Sequence, residues 1–155
     1  MTGAAVGLNH VSVIARDLDE SVRFYVDVLG LETVPTPDFG FPVQWLRVGQ
    51  QQVHLFQRPG EPPSHAHLSL EVDDFMGVYR RAKELGVLDE VTFGNVRELP
   101  NGIVQMYIRD PSGNLIELDH PDASTIIRAE VPEYVVLSDV HPQEGDAGDA
   151  TLFHR

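Results

Sequence analysis

Three histidines and one glutamate, His10, His54, His67 and Glu117, are the side chains of this 155-residue sequence whose types and spacing suit a metal site. Cysteine is absent. Disulfides, thiolate metal sites and a cysteine nucleophile are therefore excluded, and any bound cation must be held by imidazole nitrogen and carboxylate oxygen. That donor set suits Zn, Ni, Co, Fe or Mn. A single strand histidine usually finds a hydrogen bond and does nothing more, so the case rests on joint placement. His10-Val11-Ser12-Val13 is answered by His67-Leu68-Ser69-Leu70, and His54 and Glu117 fall in equivalent later segments of the same repeat. A carboxylate facing a sheet concavity without a cation or donor would also carry a large desolvation cost.

The elements that must position these residues follow from the repeat. After each His-containing strand come acidic residues, an amphipathic stretch and a glycine: Asp17 to Gly30 first, then Asp73-Asp74 to Gly86. Aspartate can accept from the free N–H groups of a helix start, and glycine can take the left-handed conformation that closes a helix. The spacing predicts helices over 18–29 and 74–85. Strands are predicted over 43–48, 52–57, 103–109 and 114–119, with a further one near 91–97. Asp110-Pro111-Ser112-Gly113-Asn114 is a strong turn signal. Each unit thus reads β-α-β-β-β. We take the chain as α+β, one domain over 7–120 with modules at about 7–57 and 64–119, and an acidic C-terminal extension over 121–155.

Neighbouring strand residues point to opposite faces. Val11, Val13, Leu68 and Leu70 suit a face covered by helices, which turns His10, Ser12, His67 and Ser69 to the other. Val53 and Leu55 leave Gln52, His54 and Phe56 on the helix-free face, and Ile116 and Leu118 leave Glu117. Gln105 and Tyr107 turn into the same concavity, with Trp45 and Arg47 as expected counterparts. Trp45, Arg47, Gln105 and Phe56 are the candidate substrate contacts. Phe39, Phe41, Trp45 and Tyr107 could line an apolar pocket, or simply pack. Arg47 could meet a substrate anion, or form a surface salt bridge.

His65 is a rival ligand, read here as a strand-entry residue. His120, His141 and His154 lie at strand ends or in the tail, where solvated surface is the expectation. The tail could be disordered by composition. Its run Tyr134-Val135-Val136-Leu137 is strand-like, and we expect the segment to be tied down against a partner subunit. With 11 Lys and Arg against 24 Asp and Glu, the net charge of −13 repels a phosphate backbone, so nucleic acid is not an expected partner. No stretch approaches the roughly 18 apolar residues of a membrane helix, and the expected location is cytoplasmic.

Several stretches together resemble a known family: Leu8-Asn9-His10-Val11-Ser12-Val13, then Phe24-Tyr25 and Leu29-Gly30-Leu31, then His67, then Asp110-Pro111-Ser112-Gly113-Asn114-Leu115-Ile116-Glu117-Leu118. The sequence is similar over residues 7 to about 120 to the vicinal oxygen chelate superfamily, which includes glyoxalase I, extradiol dioxygenases, fosfomycin resistance proteins, methylmalonyl-CoA epimerase and bleomycin resistance proteins. The resemblance implies a glyoxalase-like fold: two β-α-β-β-β modules, their mixed sheets cupped and their helices on the outer face. It carries the family's ligand positions onto His10, His67 and Glu117. The remaining position, glutamate in glyoxalase I and glutamine in the epimerases, is His54 here.

The implied activity is that of a divalent-metal-dependent lyase or isomerase of the glyoxalase I type, acting on a small substrate chelated through vicinal oxygens. Glu117 would serve as ligand and base, with Tyr107 and His54 beside it. An alternative uses His10, His67 and Glu117 as a facial triad for Fe(II) in extradiol ring cleavage, with His54 as an acid–base residue and Tyr107 beside the substrate. The segment Asn95-Val96-Arg97-Glu98 lacks the further histidine that such dioxygenases carry. A second alternative is a non-catalytic drug-binding protein like the bleomycin resistance proteins, which generally lack the ligand set. The family also implies a homodimer in which both chains complete each site, His10 with His54 and His67 with Glu117 being natural halves.

Overall fold

Alternation of apolar and polar residues over His10 to Val13 and Gln52 to Leu55 gives strands with one face for a core and one for chemistry, and a computed structural model shows them side by side. The structure describes residues 3–153; His154 lies outside them. The described chain contains two compact units, one of residues 3–62 with 110–114, the other of 63–109 with 115–153.

The first unit runs β1 (His10–Ala15), α1 (Leu18–Asp27), β2 (Glu32–Val34), β3 (Val43–Val48) and β4 (Gln51–Gln57). Its sheet has the order β1-β4-β3-β2, with β1 parallel to β4 and the rest antiparallel. Asp17 caps α1 by accepting from the Glu20 N–H at 2.9 Å. The helix packs against β3 and β4, and Phe24, Tyr25, Leu46, Val53 and Leu55 are buried there. Residues 32–34, to which the sequence assigns no strand, pair with β3. Three residues are too few for periodicity to declare a strand.

The turn Asp110–Asn114 folds into this first unit. Asp110 accepts from the Ser112 and Asn114 N–H groups, from Asn114 Nδ2 and from the Tyr25 hydroxyl, all within 3.0 Å. Asn114 Nδ2 also reaches the Ile14 carbonyl at 2.7 Å, and Ser112 Oγ accepts from the Arg16 N–H at 2.9 Å. Gly113, at φ 89°, allows the reversal. This motif is a latch on β1 and α1.

The second unit repeats the order as β5 (His67–Glu71), α2 (Phe75–Leu85), β6 (Val96–Glu98), β7 (Val104–Arg109) and β8 (Leu115–His120), then adds β9 (Tyr134–Val136). The sheet is β5-β8-β7-β6-β9, with β9 parallel to β6. Asp74 caps α2 through the Gly77 N–H, and Gly86 ends it at φ 67°. Leu68, Leu70, Phe75, Tyr79, Met106, Ile108 and Leu118 form its core. The strand expected over 91–97 is confined to 96–98. Residues 91–95 make a loop that carries Phe93 over the other face of the sheet.

The extension is tied down by its own unit. Glu98 accepts from Arg128 at 2.7 Å and from the Tyr134 hydroxyl at 2.6 Å, Arg80 pairs with Glu130, and Val131 is buried. Pairing with β6 covers a strand edge that would otherwise be open to other chains. His120, expected at the surface, is buried: its Nδ1 meets the Val72 carbonyl at 2.8 Å and its Nε2 the Thr125 hydroxyl at 3.1 Å. Parity with Leu118 turns it to the helix side, near Phe75. His141 is exposed, as expected. Among the described residues no helix is long and apolar enough to cross a membrane.

Candidate functional site

Register brings the candidate residues together unit by unit. In the first, His54 lies opposite Ser12 on β1 and Trp45 on β3; in the second, Glu117 lies opposite Ser69 on β5 and Tyr107 on β7. His54 and Glu117 therefore hold matching positions in their sheets. The same register makes Val43 and Trp45 the counterparts of Gln105 and Tyr107. Arg47, expected in that role, matches Arg109; it is exposed and paired with Glu32.

In the first unit the rings of His10 and His54 stack at 4.1 Å and 15°, and His54 stacks on Trp45 at 4.5 Å and 8°. Asn9 Oδ1 holds His10 Nδ1 and Gln52 Oε1 holds His54 Nε2, both at 2.8 Å. Amide oxygens only accept, so each ring donates there, and a neutral ring then carries its lone pair on the other nitrogen. Burial first, and then the neighbouring His10, lower the His54 pKa from its ordinary value. His54 is therefore neutral at pH 7. Phe39, Phe41, Trp45 and Phe56 surround a recess of about 310 Å³ beside these two histidines.

In the second unit His67 Nδ1 donates to the His65 carbonyl at 2.8 Å, while Nε2 stands 3.1 Å from Glu117 Oε2. His65 is thus a support for His67 through its backbone, with its own ring against Phe93. The Tyr107 hydroxyl donates to Glu117 Oε2, and Gln105 Nε2 donates to Oε1 at 3.1 Å. Burial, then the hydrogen bond to Glu117 and that group's charge, hold the Tyr107 pKa well above its ordinary value, so it remains a donor.

Sequence reasoning missed Asp119 and Phe93. Asp119, two residues on from Glu117 and on the same face, is buried and accepts from the Ser69 hydroxyl. Burial first, opposed by that hydrogen bond, together with the Glu117 charge, pushes its pKa up to about 7. Its Oδ1 has no partner among the described residues. Parity from Leu118 could have found it. Phe93 lies 4.6 Å from the Tyr107 ring and 5.7 Å from His67, brought there by a loop with no periodic signal.

The donor chemistry fits a divalent ion, in two halves. His67 Nε2 and Glu117 Oε2 are two acceptors at 3.1 Å once Nδ1 is committed, so a proton or a cation must lie between them. Ligands at 2.0–2.1 Å on a tetrahedral ion sit about 3.3 Å apart, close to that spacing. Carbonyl-anchored ring N–H groups on all three histidines are the outer-shell support that ligating imidazoles carry. Among the described residues no group of three or more His, Asp or Glu side chains gathers in a metal-binding arrangement within the chain.

This topology and these matched positions define a protein of paired βαβββ modules. Residues 7–118 match the Glyoxalase/Bleomycin resistance protein/Dioxygenase superfamily, and the chain belongs to that family. It is 30% identical over 131 residues to Glyoxylase I 4 of Arabidopsis thaliana, covering 77% of this chain and 74% of that protein. It is 25% identical over 127 residues to the mitochondrial methylmalonyl-CoA epimerase of Mus musculus, covering 72% of this chain and 71% of that one. The crystal structure of lactoylglutathione lyase from Agrobacterium tumefaciens superposes with a TM-score of 0.57 at 24% identity, over 76% of this chain and 96% of that chain, a likeness of fold.

Proposed function

We propose that the protein is a divalent-metal-dependent enzyme of the glyoxalase I type, moving a proton between adjacent carbons of a small substrate that presents two neighbouring oxygens. The observation that carries this reading is the His67–Glu117 pair, two acceptors held 3.1 Å apart with the outer nitrogen of the histidine already anchored. Membership of the family and the likeness to glyoxalase I and epimerase relatives support it. Two chains would complete each site, His10 and His54 from one and His67 and Glu117 from its partner. When bound, the cation would withdraw charge from the substrate carbonyl and acidify the neighbouring C–H.

The chain's own residues do the rest. Glu117 is the base: it takes the proton from one carbon and returns it to the next. Tyr107 and Gln105 each donate to one oxygen of that carboxylate, fixing its orientation. Phe93 covers Tyr107 and His67, which excludes water on that side.

One observation favours a second reading. His54 is stacked between His10 and Trp45 with Nε2 on Gln52, an arrangement suited to an acid–base residue beside a His10, His67 and Glu117 triad for Fe(II). Elemental analysis of protein purified without a histidine tag, with and without His54→Ala, tests both. About one Zn, Ni or Co per site, diminished by the substitution, agrees with the first reading. Iron unaffected by it moves the assignment to ring cleavage, and no metal overturns both in favour of a binding protein.

A further inference from the structure

We infer that the substrate carries a flat aromatic group, seated in the first unit's recess among Phe39, Phe41, Trp45 and Phe56. This rests on the catalytic reading above and names the substrate class for that site. The recess, about 310 Å³, is roughly twice the 150 Å³ of an engineered cavity that takes up benzene. Its polar lining is Ser12, His10 and His54, with no charged carboxylate, lysine or arginine. The Arg58 guanidinium lies 4.1 Å over the Phe41 ring but does not line the recess, and a sugar-like moiety would lose its hydration there without compensation.

The walls have a shape. His10, His54 and Trp45 form a continuous stack of near-parallel plates, while Phe39 is tilted 43° to Trp45 at 5.9 Å and Phe41 31° to Phe39 at 6.1 Å. Aromatic rings prefer offset-stacked or edge-to-face neighbours, so a flat ring entering here meets both geometries at once. A puckered aliphatic ring meets neither. These aromatics lie on the sheet face away from the unit's own core, where Leu46, Val53 and Leu55 are buried. Trp45, Phe41 and Phe56 remain only half-buried, and Phe39 is 49% exposed. Apolar surface left in water beside two stacked histidines marks a ligand groove more than a packing surface.

Trp45 is the one tryptophan of the chain, so its fluorescence reports the recess directly. The full chain is titrated with p-nitrobenzyl alcohol, a quenching aryl probe, in competition with benzyl alcohol and with cyclohexylmethanol. Saturable quenching is expected, displaced by benzyl alcohol at least about fivefold more effectively than by cyclohexylmethanol, and weakened about threefold to tenfold by Phe39→Ala and by Phe41→Ala. Phe39 is half-exposed, so its loss leaves the fold standing, which a thermal melt verifies. Linear, non-saturating quenching, equal displacement by the two alcohols, or binding indifferent to both phenylalanine substitutions overturns the inference. So does probe binding that vanishes as the protein self-associates, because a second copy then fills the recess. Probe binding needs neither metal nor turnover. Aryl binding without metal strikes the catalytic reading and leaves the recess assignment standing, whereas metal and turnover without aryl binding strike the recess assignment alone.

Discussion

His67 Nε2 stands 3.1 Å from Glu117 Oε2, although the two residues lie on different strands and are separated by most of the second module. With His67 Nδ1 donating to a carbonyl, this contact is stable when a positive charge sits between the two atoms. Glu117→Gln keeps the shape and removes the anionic ligand. Metal affinity in a competitive chelator titration is expected to fall by more than the 10- to 100-fold typical of outer-shell substitutions. Asn9→Ala, which removes the anchor of His10 Nδ1, is expected to weaken metal affinity within that 10- to 100-fold range in a competitive chelator titration. Full metal retention in Glu117→Gln would contradict the ligand assignment.

Tyr107→Phe removes the hydroxyl that Glu117 Oε2 accepts from, leaving the ring in its packing against Phe93 and His67. A hydrogen bond to a charged group contributes about 1.5–3 kcal/mol, which corresponds to about 10- to 100-fold. We expect kcat to fall in that range with metal content unchanged, measured in parallel on one preparation. Equal losses of metal and rate would make Tyr107 a structural support of the ligand.

His54→Gln tests whether the stacked imidazole is needed for its lone pair. An amide preserves much of the volume beside Trp45 while removing the imidazole. Retention of metal with altered pH dependence of kcat would mark an acid–base role, and loss of metal a ligand role.

All four tyrosines have pKa values raised above their ordinary value, mainly by burial, with Tyr134 pushed up to about 12. A raised folded-state pKa contributes stability that is complete below the unfolded value near 10 and is lost as pH climbs toward the folded value. Urea unfolding should therefore show stability falling above about pH 10, by up to about 1.4 kcal/mol per pH unit for each tyrosine. Tyr25→Phe removes the hydroxyl bound to Asp110 and should cost about 1.5–3 kcal/mol at pH 8. Its deficit relative to wild type should shrink at pH 11, and a constant deficit would refute the assignment to Tyr25.

Glu98 joins the extension to β6 by accepting from both Arg128 and Tyr134. Glu98→Ala should leave the first unit unaffected and speed proteolytic cleavage within residues 121–136 severalfold. Equal cleavage rates would show that the parallel β6–β9 pairing and the buried Val131 are sufficient alone.

Strand alternation is a local property, and it determined much here. It placed His10, His54, His67 and Glu117 on the helix-free faces, set Gln105 and Tyr107 beside Glu117, and announced two repeated modules from the pattern around His10 and His67. Aspartate caps and closing glycines marked both helices for equally local reasons. Partners distant in sequence were decided by tertiary structure alone. Which carbonyl anchors each imidazole, that Asp110–Asn114 latches onto Tyr25 and Ile14, that β9 covers β6, and that Arg47 is paired with Glu32 depend on register between strands and on loop paths. Parity cannot supply these, because it says which way a side chain points and nothing of what stands opposite it.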